Sequence, residues 1–231
     1  PASLDMGPLF LKKPADNTPA FNRVRAELHI AEAEEEYPDD PEGYWRELRA
    51  KYFGNVTVLD RGIGPILKAL EESGQADNTI VVFTSDHGDS LGDRGMINKR
   101  AFYEEVARVP LIVHVPWISM CEQRVDGSIG HTDLVPTLLD LMGENVPDHL
   151  QGASRKDVLE GSGVLSDDVF MQWHGGAATV PLGNAEVERL SEVPWRCMVS
   201  GDRWKLNLSP SDTCELYDLN SDPLELTNLY A

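Results

Sequence analysis

A continuous apolar run, TIVVFT at residues 79–84, is the sequence feature that most constrains the fold. The run is rich in β-branched residues and does not alternate with polar ones, which is typical of a strand buried on both faces. A second run of the same kind, LIVHVP, occupies residues 111–116. Because helical patterns alternate with these runs, we predict an α/β fold with a mostly parallel sheet that carries helices on both faces.

The spacing of apolar residues indicates two helices. From Tyr44 to Gly74, apolar side chains recur at intervals of three and four and so form one face. They are Val56, Leu59, Ile63, Ile66 and Leu70. The segment HTDLVPTLLDLMG at 131–143 offers Thr132 or Asp133 as an N-cap and ends at a glycine. Both segments are expected to be helical.

The chain divides into three parts. Residues 1–45 are expected to be an irregular, acidic connecting segment, because scattered prolines and the run AEAEEEYPDDPEG are typical of solvated loops. Residues 46–160 carry the α/β pattern. Residues 161–231 are expected to form a small antiparallel sheet, since two strand-like runs flank Gly201 and Asp202 as in a hairpin.

Composition excludes several classes of partner. The chain has 39 Asp and Glu against 20 Lys and Arg, so nucleic acids and anionic membrane surfaces would be repelled. No apolar run approaches the length of a membrane span, and the first residues lack the pattern of a signal peptide. We therefore expect a soluble protein without a membrane span, whose compartment the sequence does not indicate.

Asp86 and His87 directly follow the first strand-like run, where α/β folds commonly place ligands. A carboxylate oxygen and an imidazole nitrogen could both bind one divalent cation if the chain turned sharply at Gly88. In the alternative interpretation, Asp86 caps the next turn and His87 is an ordinary polar residue. An isolated Asp-His pair is a weak signal, and its spacing alone favours the alternative.

Further motifs resemble a known family. They are similar to the second half of the sulfatases, formylglycine-dependent sulfate-ester hydrolases of the alkaline phosphatase superfamily. The similar segments are VLDRGIGPILKALEESGQADNT, TIVVFTSDHGDSLGDRG with NKRAFYEEVARVPLIVHVP, HTDLVPTLLDLMG, and ELYDLNSDPLELTNL. The resemblance implies part of an alkaline phosphatase-like fold, with residues 46–160 as the C-terminal part of the sulfatase α/β domain.

The resemblance also implies roles for three residues. Asp86 and His87 fall on metal ligands of the sulfatase site, where calcium is the usual ion and manganese or magnesium are alternatives. Lys99 falls on the lysine that contacts the sulfate group and assists catalysis. The family usually has a histidine near the position of Arg94. The resemblance therefore implies that substrate specificity differs at this position. The implied substrate is a sulfate ester, either a small molecule or a glycan.

The family's nucleophile motif is not present in this sequence. Formylglycine arises from a Cys or Ser within C/S-x-P-x-R, and none of Cys121, Cys197 and Cys214 has that context. By the resemblance, we expect formylglycine and the remaining ligands in an N-terminal half that precedes residue 1. This chain alone is then expected to be inactive. Two alternatives stay open, a phosphonate or phosphate monoester hydrolase of the same superfamily and a non-catalytic binding module that retains the fold.

Overall fold

The computed structural model describes residues 4–118, 124–176 and 185–230, so Cys121 lies outside the described residues. The chain forms two compact units, which are described separately. The first comprises the described parts of Pro1–Trp117, Gly175–Val193 and Ser211–Thr213. The second comprises the described parts of Ile118–His174, Pro194–Pro210 and Cys214–Ala231.

Two long helices begin the first unit, α1 at Ala20–Glu36 and α2 at Pro41–Glu72. Helix α2 starts at Asp40, whose side chain accepts a hydrogen bond from the Gly43 N–H at 3.1 Å, and a proline follows at the first helical position. Just past its end, Gly74 adopts a φ of 70°, a left-handed conformation that glycine accepts without strain. The predicted helix and its end at Gly74 are therefore confirmed.

Helix α1 corrects the expectation that residues 1–45 are irregular. The position before it is Pro19, which provides no side-chain cap. The free N–H groups of Ala20 and Phe21 instead donate to the Asp212 carboxylate at 2.9 and 3.1 Å. A carboxylate at a helix N-terminus stabilises the helix through hydrogen bonds and the helix dipole. This cap comes from 191 residues away along the chain, so no local signal revealed it.

The first unit also contains strands β1 at Val81–Thr84 and β2 at Leu111–His114, with the one-turn helix α3 at Glu104–Ala107 between them. Helix α6 at Ala185–Ser191 belongs to this unit as well. The strands pair antiparallel, with Val81 opposite His114 and Thr84 opposite Leu111. Among the described residues, the prediction of a mostly parallel sheet is therefore wrong. The connection between the strands lacks the crossover helix that a parallel pair needs, since α3 is too short.

The predicted burial of both strands on both faces is also wrong for these residues. Phe83 on β1 is 45% exposed and Ile112 on β2 is 62% exposed. Much of α2 is exposed as well, including the apolar residues Leu59 and Ile66. The core of this unit instead lies around Trp45, Met96 and Tyr103.

The second unit holds a four-stranded antiparallel sheet in the order β3, β4, β5, β6. Its strands are β3 at Val169–Trp173, β4 at Trp195–Val199, β5 at Trp204–Leu208 and β6 at Glu215–Asp218. Helices α4 at Leu134–Leu141 and α5 at Lys156–Leu159 precede the sheet. The predicted small antiparallel C-terminal sheet is confirmed.

The hairpin between β4 and β5 turns at Gly201 and Asp202, as the sequence indicates. A salt bridge at 2.8 Å joins Lys205 and Glu225, both fully buried. In the described part of the chain, the helices are too short or too polar to cross a membrane. The boundaries of the three sequence-based parts remain predictions.

Candidate functional site

The candidate site begins where β1 ends. Strand β1 stops at Thr84, and Asp86 and His87 follow within three residues. The Asp86 side chain is 82% exposed, and its Oδ1 accepts the backbone N–H of His87 at 2.9 Å. This hydrogen bond to the charged form lowers the pKa of the Asp86 carboxyl. Asp86 is therefore held as an accessible carboxylate.

The His87 ring is oriented by its own backbone neighbourhood. Nδ1 lies 2.8 Å from the carbonyl oxygen of Gly88. A carbonyl can only accept, so the hydrogen-bond network assigns the ring proton to Nδ1. In the neutral ring, Nε2 then carries a lone pair, and it lies 3.2 Å from Oδ2 of Asp86. An imidazole lone pair and a carboxylate oxygen are thus side by side.

Lys99 joins this pair from further along the chain. Its Nζ lies 2.7 Å from Nε2 of His87, so the ammonium donates to the imidazole lone pair. The three site residues that the sequence predicts are therefore brought together on one exposed surface. Their proximity is an observation, while their functional roles remain predictions.

The donor pair suits a divalent cation. Two ligands at right angles on an ion with bonds of about 2.3 Å lie about 3.3 Å apart. The Asp86 Oδ2 to His87 Nε2 separation of 3.2 Å is close to that value. Within the described residues, however, no three His, Cys, Asp or Glu side chains converge into a larger cluster. The site therefore brings two candidate donor atoms together, and the cation at Nε2 in this structure is the Lys99 ammonium.

Gly88, which follows His87, packs closely against the backbone of the α3 segment. Its N–H donates to the carbonyl of Val106 at 2.8 Å. A β-carbon at this position would lie 2.1 Å from the carbonyl oxygen of Glu105, which is a backbone atom and cannot move aside as a side chain would. Close backbone packing against the α3 segment thus requires glycine beside the site.

A closed loop returns the chain from Gly88 to Lys99. Oδ1 of Asp89 accepts the N–H groups of Leu91 and Asn98 at 2.9 and 3.0 Å. The backbone N–H of Ser90 and its hydroxyl both donate to the Asn98 carbonyl at 3.1 Å. These bonds tie the two ends of the loop together, and Lys99 consequently lies beside His87.

Arg94, where the sequence departs from the family habit, lies in the interior of the first unit. Its Nε is 2.8 Å from Oε1 of Glu105, and both side chains are largely buried. Its guanidinium carbon lies 3.9 Å from the centre of the Tyr103 ring. Arg94 therefore has a packing role in this structure, and the prediction about substrate specificity at this position remains untested.

Sequence reasoning missed the two arginines, one on α1 and one on α2, that hold this loop. Arg49 on α2 donates to the Leu91 carbonyl and forms an ion pair with Asp93, both at 2.6 Å. Arg25 on α1 donates to backbone carbonyls on either side of Lys99. Neither arginine lies in a motif, and other basic residues occur in both helices, so the sequence does not single them out.

Two family models match the chain. The model described as Sulfatase matches residues 15–144. The model described as N-sulphoglucosamine sulphohydrolase, C-terminal, matches residues 92–231. Together they cover both units, and the first includes Asp86, His87 and Lys99. The chain belongs to the sulfatase family.

Individual relatives agree with this assignment. An N-acetylglucosamine-6-O-sulfatase of Bacteroides thetaiotaomicron is 34% identical over 188 residues, which are 80% of this chain and 32% of the relative. This chain thus spans about a third of the length of that relative.

Solved structures give the same picture. A structure in complex with its substrate D-glucosamine-2-N,6-O-disulfate matches with a TM-score of 0.65 and 32% identity, over 76% of this chain and 35% of the other. The phosphonate monoester hydrolase of Agrobacterium radiobacter matches with a TM-score of 0.67 and 29% identity, over 78% and 36%. The similarity therefore includes a complex with a sulfated glucosamine substrate and a phosphonate monoester hydrolase.

Proposed function

We propose that this chain is the C-terminal part of a sulfuric ester hydrolase, in which Asp86 and His87 bind a divalent cation and Lys99 contacts the sulfate group. The observation that carries the proposal is the contact of 2.7 Å between Lys99 Nζ and His87 Nε2 beside the Asp86 carboxylate. It brings an ammonium together with a carboxylate and an imidazole that follow the end of β1. Membership of the sulfatase family supports the reaction class.

Calcium is the first expectation for the cation, with manganese and magnesium as alternatives. The carboxylate oxygen suits all three ions, and the imidazole nitrogen extends the range toward manganese. When bound, such a cation neutralises sulfate oxygens and lowers the pKa of a hydroxyl nucleophile. The residues of this chain contribute by holding the two donor atoms 3.2 Å apart and exposed.

Lys99 is proposed to contact the sulfate group of the substrate. An ammonium near the sulfuryl group stabilises the negative charge that develops on its oxygens and on the leaving oxygen as the ester bond breaks. Its hydrogen bond to His87 keeps the ammonium beside the donor atoms of Asp86 and His87. Release of that hydrogen bond would leave its donors free for a sulfate oxygen.

The nucleophile and the other ligands are proposed to come from an N-terminal half of the same enzyme. The match to only 32% of a curated sulfatase is consistent with this. The expected nucleophile is a formylglycine in that half, and this chain alone is then inactive. The substrate is a sulfate ester, either a glycan or a small molecule, and the match to a complex with a sulfated glucosamine supports the sugar as one candidate.

A phosphonate or phosphate monoester hydrolase is the second candidate function, because the phosphonate monoester hydrolase matches at similar quality. Sulfate and phosphonate esters present tetrahedral anions of similar size to the same cation and lysine. A non-catalytic binding module of the same fold is the remaining alternative.

An assay of the full-length protein that contains this chain separates these candidates. The protein is saturated with calcium or manganese, and kcat/KM is measured for an aryl sulfate, a sulfated glucosamine and an aryl phosphonate monoester. The proposal expects the highest kcat/KM for a sulfate ester. A preference for the phosphonate would support the second function, and no turnover of any ester by protein with a converted nucleophile would support the binding module.

A further inference from the structure

Helix α1 presents two polar side chains, one turn apart, to the backbone that carries Lys99. Nη2 of Arg25 donates to the carbonyls of Ile97 and Lys99 at 2.9 and 2.8 Å, and Nη1 donates to that of Arg100 at 3.3 Å. Nδ1 of His29 accepts the N–H of Ile97 at 3.2 Å. A single guanidinium thus gathers three carbonyls of a four-residue segment, 97–100.

The protonation states of Arg25 and His29 allow these hydrogen bonds. Burial, followed by the nearby Arg100 charge, lowers the pKa of Arg25 to about 10, so the guanidinium stays charged at neutral pH. Burial, followed by the Arg25 charge, lowers the pKa of His29 to about 4. His29 is therefore neutral at pH 7, and its Nδ1 is free to accept a backbone hydrogen bond.

The segment that they hold is strained. Asn98 and Arg100, which flank Lys99, have φ values of 62° and 84°. Left-handed backbone costs free energy in residues other than glycine and persists only where surrounding contacts enforce it. The carbonyls on either side of this strain are those that Arg25 binds, so Arg25 is placed to enforce it together with Asp89 and Ser90, which bind Asn98.

We propose that Arg25 is a positioning residue for Lys99, holding residues 97–100 in the strained conformation that directs the Lys99 ammonium into the site. The hydrogen bonds of the Arg25 guanidinium go to the backbone of this segment, so Arg25 acts on the site through Lys99. The catalytic consequence rests on the proposed function of Lys99. The effect of Arg25 on the conformation of residues 97–100 does not depend on that function.

The conformational consequence is tested on this chain by limited trypsin digestion. Lys99 and Arg100 are two adjacent trypsin sites, and peptides that begin at Arg100 or Ala101 are counted by mass spectrometry. Arg25→Gln is expected to raise the initial rate of this cleavage about tenfold or more, with a smaller rise for Arg25→Lys. Arg46→Gln, which removes a half-buried arginine of α2, is the control with an unchanged rate. An unchanged rate in Arg25→Gln, or in a folded Arg25→Lys if Arg25→Gln does not fold, overturns the proposal.

The catalytic consequence is tested by a double-mutant cycle in the full-length enzyme. Arg25→Gln is expected to lower kcat/KM by about 10- to 100-fold through misplacement of Lys99. Added to Lys99→Ala, it is expected to cause less than about a twofold further loss, because it acts through that residue. Equal losses in both backgrounds would show a purely structural effect and overturn the positioning role. A wild-type kcat/KM in Lys99→Ala would instead refute the proposed function of Lys99, and the digestion would still decide the role of Arg25.

Discussion

The Nζ of Lys99 lies 2.7 Å from Nε2 of His87, so a side-chain ammonium lies at the lone pair that a cation would use. We therefore expect the Lys99 ammonium and a metal ion to compete for Nε2 of His87. Paramagnetic Mn²⁺ is expected to broaden the amide NMR signals of residues 85–88 first, and more strongly at equal concentration in Lys99→Met. His87→Ala should lose the selective broadening, whereas Asp60→Asn on exposed α2 should keep it. Weaker broadening in Lys99→Met would contradict the competition.

Lys99→Ala is expected to lower kcat/KM of the full-length enzyme for an aryl sulfate by about 100- to 1,000-fold, as for the loss of one oxyanion donor. Part of the loss should appear in kcat, because the ammonium acts more strongly as charge develops. The measurement requires saturating cation and a mass check of nucleophile conversion. Lys68→Ala, an exposed lysine of α2, is the matched control. Similar kinetics for the two variants would remove Lys99 from the site.

Gly88→Ala is expected to destabilise the chain by roughly 1–3 kcal/mol, since its β-carbon would overlap the backbone oxygen of Glu105. Gly62→Ala provides the matched control, because its β-carbon would meet nothing within 4 Å on α2. That control should gain about 0.5–1 kcal/mol from a better helix former. Urea unfolding of the three proteins checks both values. Equal stability of Gly88→Ala and wild type would contradict this prediction, because it would show that the Glu105 backbone can shift to accommodate the β-carbon.

Stability is expected to fall as the pH drops from about 6.5 to about 4, in part because of His29. Burial lowers the folded pKa of His29 from its usual 6.5 to about 4, so the unfolded chain binds the additional proton within this window. His29 should therefore favour unfolding by roughly 2–3 kcal/mol at the acid end. Urea unfolding at pH 7, 6, 5 and 4 should show a smaller decline in His29→Gln. Parallel pH profiles for the two proteins would contradict the buried, neutral state of His29.

The apolar face of α2, formed by Leu59, Ile63, Ile66 and Leu70, is expected to cause self-association of this chain. Leu59 and Ile66 are each 67% exposed, and soluble monomers rarely expose a contiguous apolar patch of this kind. We expect the N-terminal half of the enzyme to cover this face. Sedimentation velocity should show oligomers that Leu59→Gln with Ile66→Gln reduces and that Lys68→Gln does not. A monomer at all concentrations would refute this prediction.

Local signals in the sequence determined several elements. The proline after Asp40 and the glycine at position 74 mark both ends of α2, and the β4–β5 hairpin turns at Gly201 and Asp202. The sequence also placed Asp86 and His87 directly after β1, because adjacent residues at a strand end need no distant contact to be neighbours. These features depend on interactions within a few residues.

Tertiary structure alone decided the rest. Helix α1 depends on a cap from Asp212, 191 residues away, and β1 pairs antiparallel with β2 although both runs have the composition of parallel strands. Lys99 reaches His87 because Asp89 closes the loop and Arg25 binds its backbone across 74 residues. Such hydrogen bonds go to backbone atoms, which are the same for every residue type. The pattern of side chains in the sequence therefore cannot predict these hydrogen bonds. Only the folded chain brings their partners within bonding distance.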